Sequence, residues 1–198
     1  MALTAANHAE IAELAARYGQ PRYVAAHLED GSFAPLTSRD RFGEVCMVFR
    51  RPGGLLTARK EYYPPNVVRL PTGGVGHGEA IGEALDREIA EETGLVVVDK
   101  RFLAQIDYFT PQSGTEQPAF TTFVFLLDAP EGEPVSHDPA ERLESFGLCS
   151  PAELGQIAAR LRQLEGADPA EIRGTWRAWG EFRAISHEIT GEILTADE

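Results

Sequence analysis

Apolar and polar positions along the chain follow two spacings, and each change of spacing marks a new element. Near the N-terminus, Ile11, Leu14, Ala15 and Tyr18 recur at the three- and four-residue spacing of one helix face, which predicts a short amphipathic helix. Apolar or alternating runs bounded by turn residues then predict a series of strands. These predicted strands cover residues 22–28, 45–49, 55–58, 66–70, 102–109 and 119–127.

Three further segments have helical periodicity. A central helix is predicted over residues 80–93, ended by Gly94 in the position after the last helical residue. Residues 151–164 and 169–193 each carry an apolar stripe, and the second stripe contains two tryptophans. The order of mixed strands, one central helix, more strands and then helices predicts an α+β domain or a three-layer sandwich.

Composition and charge limit the classes of protein to which the chain can belong. Its 198 residues are 43% hydrophobic, which is enough for one compact domain with a core. No apolar run is long enough to span a membrane, and the N-terminus lacks a signal-peptide pattern. Cys46 and Cys149 form no disulfide framework, so we expect two core cysteines and a cytoplasmic location. The formal net charge of −13 argues against nucleic acid or an anionic membrane as a partner.

A glycine-rich stretch, TGGVGHG at residues 72–78, precedes the central helix. Such a stretch can offer backbone N–H groups to a phosphate. It lacks the Lys-Ser/Thr pair of a P-loop, and its glycines do not have the G-x-G-x-x-G spacing of dinucleotide-binding folds. We expect His77 within it to be an exposed loop histidine. A phosphate ligand of this chain must therefore be bound by other groups.

Carboxylates of the central helix suggest that way. On a helical wheel, Glu88 and Glu92 share the buried side with Ile81, and Glu91 lies at its edge. A run of glutamates is ordinarily a solvated surface, but ionised carboxylates on a buried face need a salt bridge or a bound cation. Arg87 supplies only one positive charge against the negative charges of these three glutamates. Hard divalent cations suit an oxygen cluster, and a bound metal would also attract phosphate.

The spacing of these residues resembles the signature of the Nudix hydrolases. Gly73 is followed after five residues by Glu79 and after seven more by REIAEETGL at residues 87–95. The resemblance covers residues 73–95, and the strand order around them is also similar to the Nudix fold. It implies a Nudix-like α/β/α sandwich with a mixed sheet and a central loop-helix-loop. It also implies that Glu79 and Arg87 brace the loop against the helix without taking part in the chemistry.

The resemblance also implies an activity. Nudix enzymes cleave a diphosphate linkage within a nucleoside diphosphate joined to another group, and they need Mg²⁺ or Mn²⁺. Glu88, Glu91 and Glu92 match the metal-binding glutamates, with Glu92 usually the central one. The carbonyl of Gly73 matches a backbone metal ligand. We therefore expect a small-molecule nucleoside diphosphate derivative as the partner of this chain.

The general base is left open between two regions of the chain. Glu88 and Glu92 are one source, since the family uses glutamates of the signature. A distant loop is the other, and its acids here are Asp138, Glu141 and Glu144. Glu144 resembles the acidic position that precedes the last core strand in many members. The predicted catalytic residues are thus Glu92, Glu88 and Glu144.

Substrate signals lie outside the signature. Pro111 stands sixteen residues after Leu95, a spacing similar to that in ADP-ribose pyrophosphatases of the family, although Gln112 replaces their usual glycine. Arg59, Lys60 and Arg69 precede the signature and are suited to phosphate. The residues predicted to bind substrate are Arg59, Arg69, Phe109 and Pro111. ADP-ribose or a nucleotide sugar is therefore the leading substrate.

Two alternatives and a division of the chain complete these expectations. One alternative is a Nudix enzyme for nucleoside triphosphates or dinucleoside polyphosphates, and the other is a non-catalytic nucleotide-sensing module. The intact glutamates argue against the second. The predicted division is an N-terminal helix and strand extension over 1–41, a Nudix core over 42–150 and C-terminal helices over 151–198. The extension suggests a homodimer.

Overall fold

A computed structural model describes residues 3–33, 36–37, 40–113, 117–166 and 170–196. Within these ranges the strands are β1 Arg22–His27, β2 Arg41–Arg51, β3 Gly54–Lys60, β4 Thr72–Gly76, β5 Asp99–Phe109, β6 Phe120–Asp128 and β7 Leu143–Cys149. The helices are α1 Ala5–Tyr18, α2 Ile81–Glu92, α3 Glu153–Arg162 and α4 Trp176–Ala196, and a 3-10 helix spans Pro139–Glu141.

The strands form one mixed sheet in the order β1-β5-β6-β2-β3-β7. Two neighbouring pairs are parallel, β1 with β5 and β2 with β6, and the other pairs are antiparallel. The 11-residue strand β2 is long enough to take two partners along its second edge. It pairs with β3 at Arg50 and Arg51, and its first half pairs with β4 from Arg41 to Cys46. The glycine-rich segment is thereby held against the middle of the sheet.

Alternate residues of β2 belong to two different cores. Val45, Met47 and Phe49 pack on the face covered by α1 and α2, whereas Cys46 and Val48 pack on the face covered by α3 and α4. This follows from the two-residue period of a strand that is buried on both sides. The result is an α/β/α sandwich, which confirms the predicted fold class.

The two C-terminal helices form a hairpin on one face of the sheet. A β-carbon on Gly180 of α4 would lie 2.0 Å from the carbonyl oxygen of Leu161, so the end of α3 touches the α4 backbone. Trp179 and Phe182 of α4 are buried and pack on Tyr63 and Tyr108, respectively. These contacts fix α4 beside the segment that leads into β4.

Most predicted elements are present, but three differ. Residues 66–70 are not a strand: Asn66 has a left-handed φ of 61°, and a single bridge joins Arg69 to Ala58. The last helix begins at Trp176, after turns over 170–172, and Pro169 lies outside the described residues. The glycine-rich segment, expected to be a loop, contains a strand, because its backbone pairs with β2.

The N-terminal segment is part of the same layers. Strand β1 extends the sheet in register with β5, with Arg22 opposite Ala104. Helix α1 contributes Leu14 and Ala15 to the core that α2 also covers. The division of the chain into three parts stays a prediction. In the part of the chain described, no helix is long and apolar enough to cross a membrane.

Candidate functional site

A cavity of about 570 Å³ opens beside the glycine-rich strand. Its wall is made by β4, one face of α2, the end of β3, the 3-10 helix and α4. Gly73 and Glu88 lie on one side, Lys60 and Glu141 on another, and Arg183 of α4 on a third. The elements that meet here are far apart in sequence, and the sheet brings them together.

Helix α2 carries the two buried carboxylates predicted by its periodicity. Glu88 is 8% exposed and Glu92 is 7% exposed, which confirms that they share the buried face. Burial raises the pKa of Glu88, and it raises the pKa of Glu92 to about 8 against the opposing effect of Arg69. Glu92 does not line the cavity, although it lies one helical turn after Glu88 on the same buried face. Glu91 is exposed, at the edge of the face.

Arg87 joins the glycine-rich strand to the helix. Its Nε donates to Glu79 Oε1 at 2.9 Å, and its Nη2 donates to the carbonyl oxygen of Gly74 at 3.0 Å. Its Nη1 reaches both Glu88 Oε1, at 2.8 Å, and Glu91 Oε2, at 3.0 Å. The hydrogen bond from Arg87 holds the pKa of Glu79 below its usual value. This is the geometry expected of the predicted brace.

Glu141 enters the cavity from the 3-10 helix. Its carboxylate pairs with Lys60 Nζ. Burial by itself would raise the pKa of Glu141, but Lys60, Arg69 and the hydrogen bond from Glu92 together outweigh it and the pKa is lowered. The carboxyl group of Glu92 also hydrogen-bonds to Glu141. At pH 7, an ionised Glu141 therefore lies next to a protonated Glu92.

Glu144, the acid favoured by the sequence as a base, lies elsewhere. It is a residue of β7 rather than of a loop before that strand. Its side chain is 47% exposed and pairs with Arg59 Nε at 2.7 Å, and it does not line the cavity. Arg59 is committed to structure as well, since its Nη1 donates to the carbonyl oxygens of Pro64 and Val67.

Arg69 is brought into the cavity, whereas the other predicted substrate residues are not. Arg69 is 4% exposed, lines the cavity and has its guanidinium held by neutral acceptors. Phe109 is buried and stacks on His27 with ring centroids 5.4 Å apart. Pro111 is an exposed turn residue. Neither lines the cavity.

The sequence alone did not show that cationic side chains outside α2 are partners of the buried acids. The sequence offered only Arg87, but Arg69 and Lys60 also lower the pKa of Glu92, against the larger effect of burial. Arg183 of α4 was not considered at all. It stands among Trp179, Phe182 and other aromatic or apolar residues, and a charge within such a stripe was the one available signal.

The side chains present suit a divalent cation in their chemistry. Glu88, Glu92 and Glu141 supply hard oxygen donors, and two of the three are buried acids with raised pKa values that a cation would lower. In the described residues, however, no three His, Cys, Asp or Glu side chains are already arranged to hold a metal ion. A metal bound here must therefore displace Arg87 from Glu88 or draw the carboxylates closer.

Comparison with known proteins identifies the family. The family model for the NUDIX domain matches residues 40–170, which is more than half of the chain. The chain therefore belongs to the Nudix family, and its α/β/α sandwich is a Nudix fold. It is similar to an ADP-ribose pyrophosphatase of Methanocaldococcus jannaschii, with 37% identity over 94 residues that cover 48% of this chain and 54% of the relative. The chain thus spans about half the length of that relative.

Two solved structures are similar to this chain. Tm1382, which is assigned to the Nudix hydrolases, has a TM-score of 0.50 and 17% identity, with coverage of 80% of this chain and 72% of that one. A MutT NUDIX hydrolase of Burkholderia pseudomallei has a TM-score of 0.48 and 21% identity, with coverage of 79% and 99%. At 17% identity, the likeness to Tm1382 concerns the fold alone.

Proposed function

We propose that this protein is a metal-dependent hydrolase of a diphosphate linkage in a nucleoside diphosphate derivative. The observation that supports this most is the pair of buried carboxylates, Glu88 and Glu92, beside a cavity that Arg69 and Lys60 also reach. The acidic Glu88 and the cationic Arg69 and Lys60 thus line one cavity, and Glu92 is buried on the same helix face as Glu88. Carboxylates alone would repel a diphosphate, and cationic side chains alone would bind it without a means of activating water.

Glu88, Glu91, Glu92 and the carbonyl of Gly73 are the proposed holders of Mg²⁺ or Mn²⁺. When bound, the metal would neutralise phosphate charge and acidify water. Glu91 needs the largest change, because it is exposed and its carboxylate accepts from Arg87. We therefore assign the main share of binding to Glu88 and Glu92. Arg87 and Glu79 keep the loop in place while the carboxylates exchange partners.

Glu141 is the proposed general base. A base must be ionised and must face the reacting groups. Glu141 meets both needs, since Lys60 holds its pKa down and it lines the cavity. It would take the proton of the attacking water, and Lys60 would compensate the charge it carries before that step. Glu144, paired with Arg59 outside the cavity, is the weaker candidate.

ADP-ribose or a nucleotide sugar is the proposed substrate. Support comes from the 37% identical relative, which is an ADP-ribose pyrophosphatase. Tyr62 also lines the cavity and is only partly buried, so its ring is available to contact a base or ribose. Attack of water at one phosphorus would release AMP and ribose 5-phosphate from ADP-ribose. A homodimer is also proposed, on the basis of the added N-terminal strand.

A second candidate substrate class is kept because Pro111 and Phe109 do not line the cavity. The spacing of Pro111 was the sequence signal for ADP-ribose, and its position gives no contact through which it would act on the substrate. Nucleoside triphosphates and dinucleoside polyphosphates therefore remain the alternative. A non-catalytic sensing role is disfavoured by the intact buried carboxylates.

A hydrolysis screen tests both proposals. Purified protein is assayed with ADP-ribose, nucleotide sugars, nucleoside triphosphates and dinucleoside polyphosphates, with Mg²⁺ or Mn²⁺ and then with excess EDTA. We expect ADP-ribose or a nucleotide sugar to have the highest kcat/KM, and EDTA to abolish turnover. Full activity in EDTA would overturn the metal-dependent mechanism. A triphosphate preferred by about tenfold, which corresponds to about 1.4 kcal/mol, would replace the substrate assignment but not the reaction class.

A further inference from the structure

Helix α4 places a buried arginine in the cavity wall. Arg183 is 7% exposed, and its Nη1 donates to Glu44 Oε1 at 2.6 Å. The guanidinium carbon lies 4.8 Å from the ring centroid of Phe182 and 5.9 Å from that of Trp179. Thr122 Oγ1 also donates to Glu44, at 3.1 Å. The Arg183–Glu44 pair is therefore held in place by the hydroxyl of Thr122 and by the rings of Trp179 and Phe182.

Two nitrogens of this guanidinium are not used by the protein. Within the described ranges, Nε of Arg183 is fully buried without a hydrogen-bond partner. Nη2 also has no partner there, but it is not among the fully buried atoms, and Arg183 lines the cavity. Leaving donors of a buried charged group unpaired is costly, and it is uncommon away from functional sites. The open donor at the cavity is Nη2.

Arg69 has a similar open donor. Its Nε donates to Tyr63 Oη, and its Nη1 donates to the carbonyl oxygen of Leu70 and to Thr72 Oγ1, both at 2.8 Å. Its Nη2 has no partner among the described residues, which also place no carboxylate in salt-bridge contact with Arg69. Arg69 thus brings a fixed positive charge to the cavity with no direct counter-ion.

Both arginines line the cavity, and a buried histidine links the segments that carry them. His187 connects their segments, because its Nε2 accepts from the backbone N–H of Leu70 at 2.9 Å and its Nδ1 donates to the carbonyl oxygen of Arg183 at 2.7 Å. Burial, together with both guanidinium groups, lowers the pKa of His187 to about 4. The ring is therefore neutral at pH 7 and holds α4 against the strand that follows Arg69.

We propose that Arg69 Nη2 and Arg183 Nη2 together bind a phosphate group of the substrate, next to the one that faces Glu88. Glu44 neutralises Arg183, so the pair carries one net positive charge. That charge matches one phosphate of a diphosphate diester, which has one negative charge, better than a terminal phosphate with two. The identity of the ligand rests on the proposed function. In this assignment Arg183 of α4, a helix outside the signature, helps to bind the second phosphate.

Isothermal titration of metal-free protein in EDTA tests this site, with ADP-ribose and inorganic phosphate as separate probes. Glu44→Gln removes the counter-charge of Arg183 but keeps its guanidinium. We expect this variant to bind both probes about three- to tenfold more tightly, because one full positive charge is freed. Glu44→Gln combined with Arg183→Gln leaves a neutral pair of similar size and should bind both probes about tenfold more weakly than wild type.

Arg177→Gln is the matched control, since Arg177 is an exposed arginine of the same helix that pairs with Glu181. Its affinity for both probes should equal that of wild type. Thermal melting of each variant confirms that folded protein is being titrated. A purely structural Glu44–Arg183 pair would give equal or weaker binding for Glu44→Gln, and this result would overturn the proposal.

The two probes separate this proposal from the substrate assignment. If inorganic phosphate responds to the variants but ADP-ribose neither binds nor is hydrolysed, the anion site is supported and the ADP-ribose assignment is lost. If ADP-ribose is hydrolysed while neither probe responds to any variant, the anion site is wrong and the assignment survives.

Discussion

A β-carbon on Gly73 would lie 2.0 Å from both Cγ and Cδ of Glu88. The buried carboxylate of α2 therefore packs directly on the glycine Cα in β4. The need for glycine here comes from close approach, not from an unusual backbone dihedral, since Gly73 is not among the residues with positive φ. The position of β4 therefore fixes the position of the Glu88 carboxylate.

Gly73→Ala should consequently push Glu88 out of the cavity wall. We expect a loss of kcat of about 10²-fold, on the scale of a misplaced active-site group, with a small change in secondary structure. Steady-state kinetics with the best substrate of the screen measures it. Gly155→Ala in α3 is the control, because a β-carbon there meets nothing within 4 Å and activity should be kept. Unchanged kcat for Gly73→Ala would show that Glu88 is not needed at its present position.

Glu92→Gln and Glu83→Gln test the two faces of α2. Glu92 is buried next to Glu88, whereas Glu83 is exposed on the same helix. Removing the charge of Glu92 should reduce kcat by about 10²-fold or more if it holds a metal in the transition state. Glu83→Gln should be near neutral. Similar kinetics for the two variants would contradict the assignment of the buried face to the chemistry.

The contribution of Glu92 to the stability of the metal-free protein should fall as pH rises. Burial raises the pKa of Glu92 to about 8 from its usual 4.5, so the folded state binds more protons than the unfolded state between these values. The stabilisation is full below pH 4.5 and is lost as pH rises to 8. In EDTA at pH 8, Glu92→Gln should thus be more stable than wild type, by on the order of 2–4 kcal/mol. Urea unfolding at pH 5 and pH 8 measures the difference.

Added Mg²⁺ supplies the control for that comparison. It should raise the melting temperature of wild type more than that of Glu92→Gln, since a bound cation relieves the buried negative charge. A Glu92→Gln variant that is less stable than wild type at every pH in EDTA would show that the carboxylate is already satisfied by Arg69 and Lys60.

Arg87→Ala should destabilise the loop between β4 and α2. It removes the partner of Glu79, Glu88 and the Gly74 carbonyl together. We expect a loss of about 1–3 kcal/mol, with the lower end favoured because the Arg87 side chain is 38% exposed. Arg177→Ala, which loses only an exposed pair with Glu181, should change the free energy of unfolding by less than about 0.5 kcal/mol. Equal melting temperatures for Arg87→Ala and wild type would rule out the brace.

Glu141→Gln and Glu144→Gln distinguish the two possible bases. Glu141 lines the cavity and Glu144 does not. Loss of a general base typically costs about 10²–10⁴-fold in rate, and we expect this for Glu141→Gln. Its pH–rate profile should also lose the acidic limb. Glu144→Gln should retain most activity; if it is instead the inactive variant, Glu144 must move into the cavity when substrate binds.

The sequence by itself determined the parts of this protein that depend on local spacing. The 3.6-residue period of α2 decides which of its glutamates face the core, and Glu88 and Glu92 lie there as the wheel predicts. The apolar runs within β2 and β6 similarly predict buried strands. Gly94, with φ of 61°, ends α2 where a residue in the left-handed region was expected. These features need no partner distant in the chain.

Only the tertiary structure decided what surrounds those glutamates. Glu44 and Arg183 are 139 residues apart, and Leu70 and His187 are 117 apart, so no local pattern links them. Spacing suggested Pro111 as a substrate residue, yet the path of β5 carries it away from the cavity. Periodicity reports which face of an element is buried. Which charges meet on that face depends on how the sheet orders its strands and where α4 packs, because electrostatic partners are chosen by distance in space.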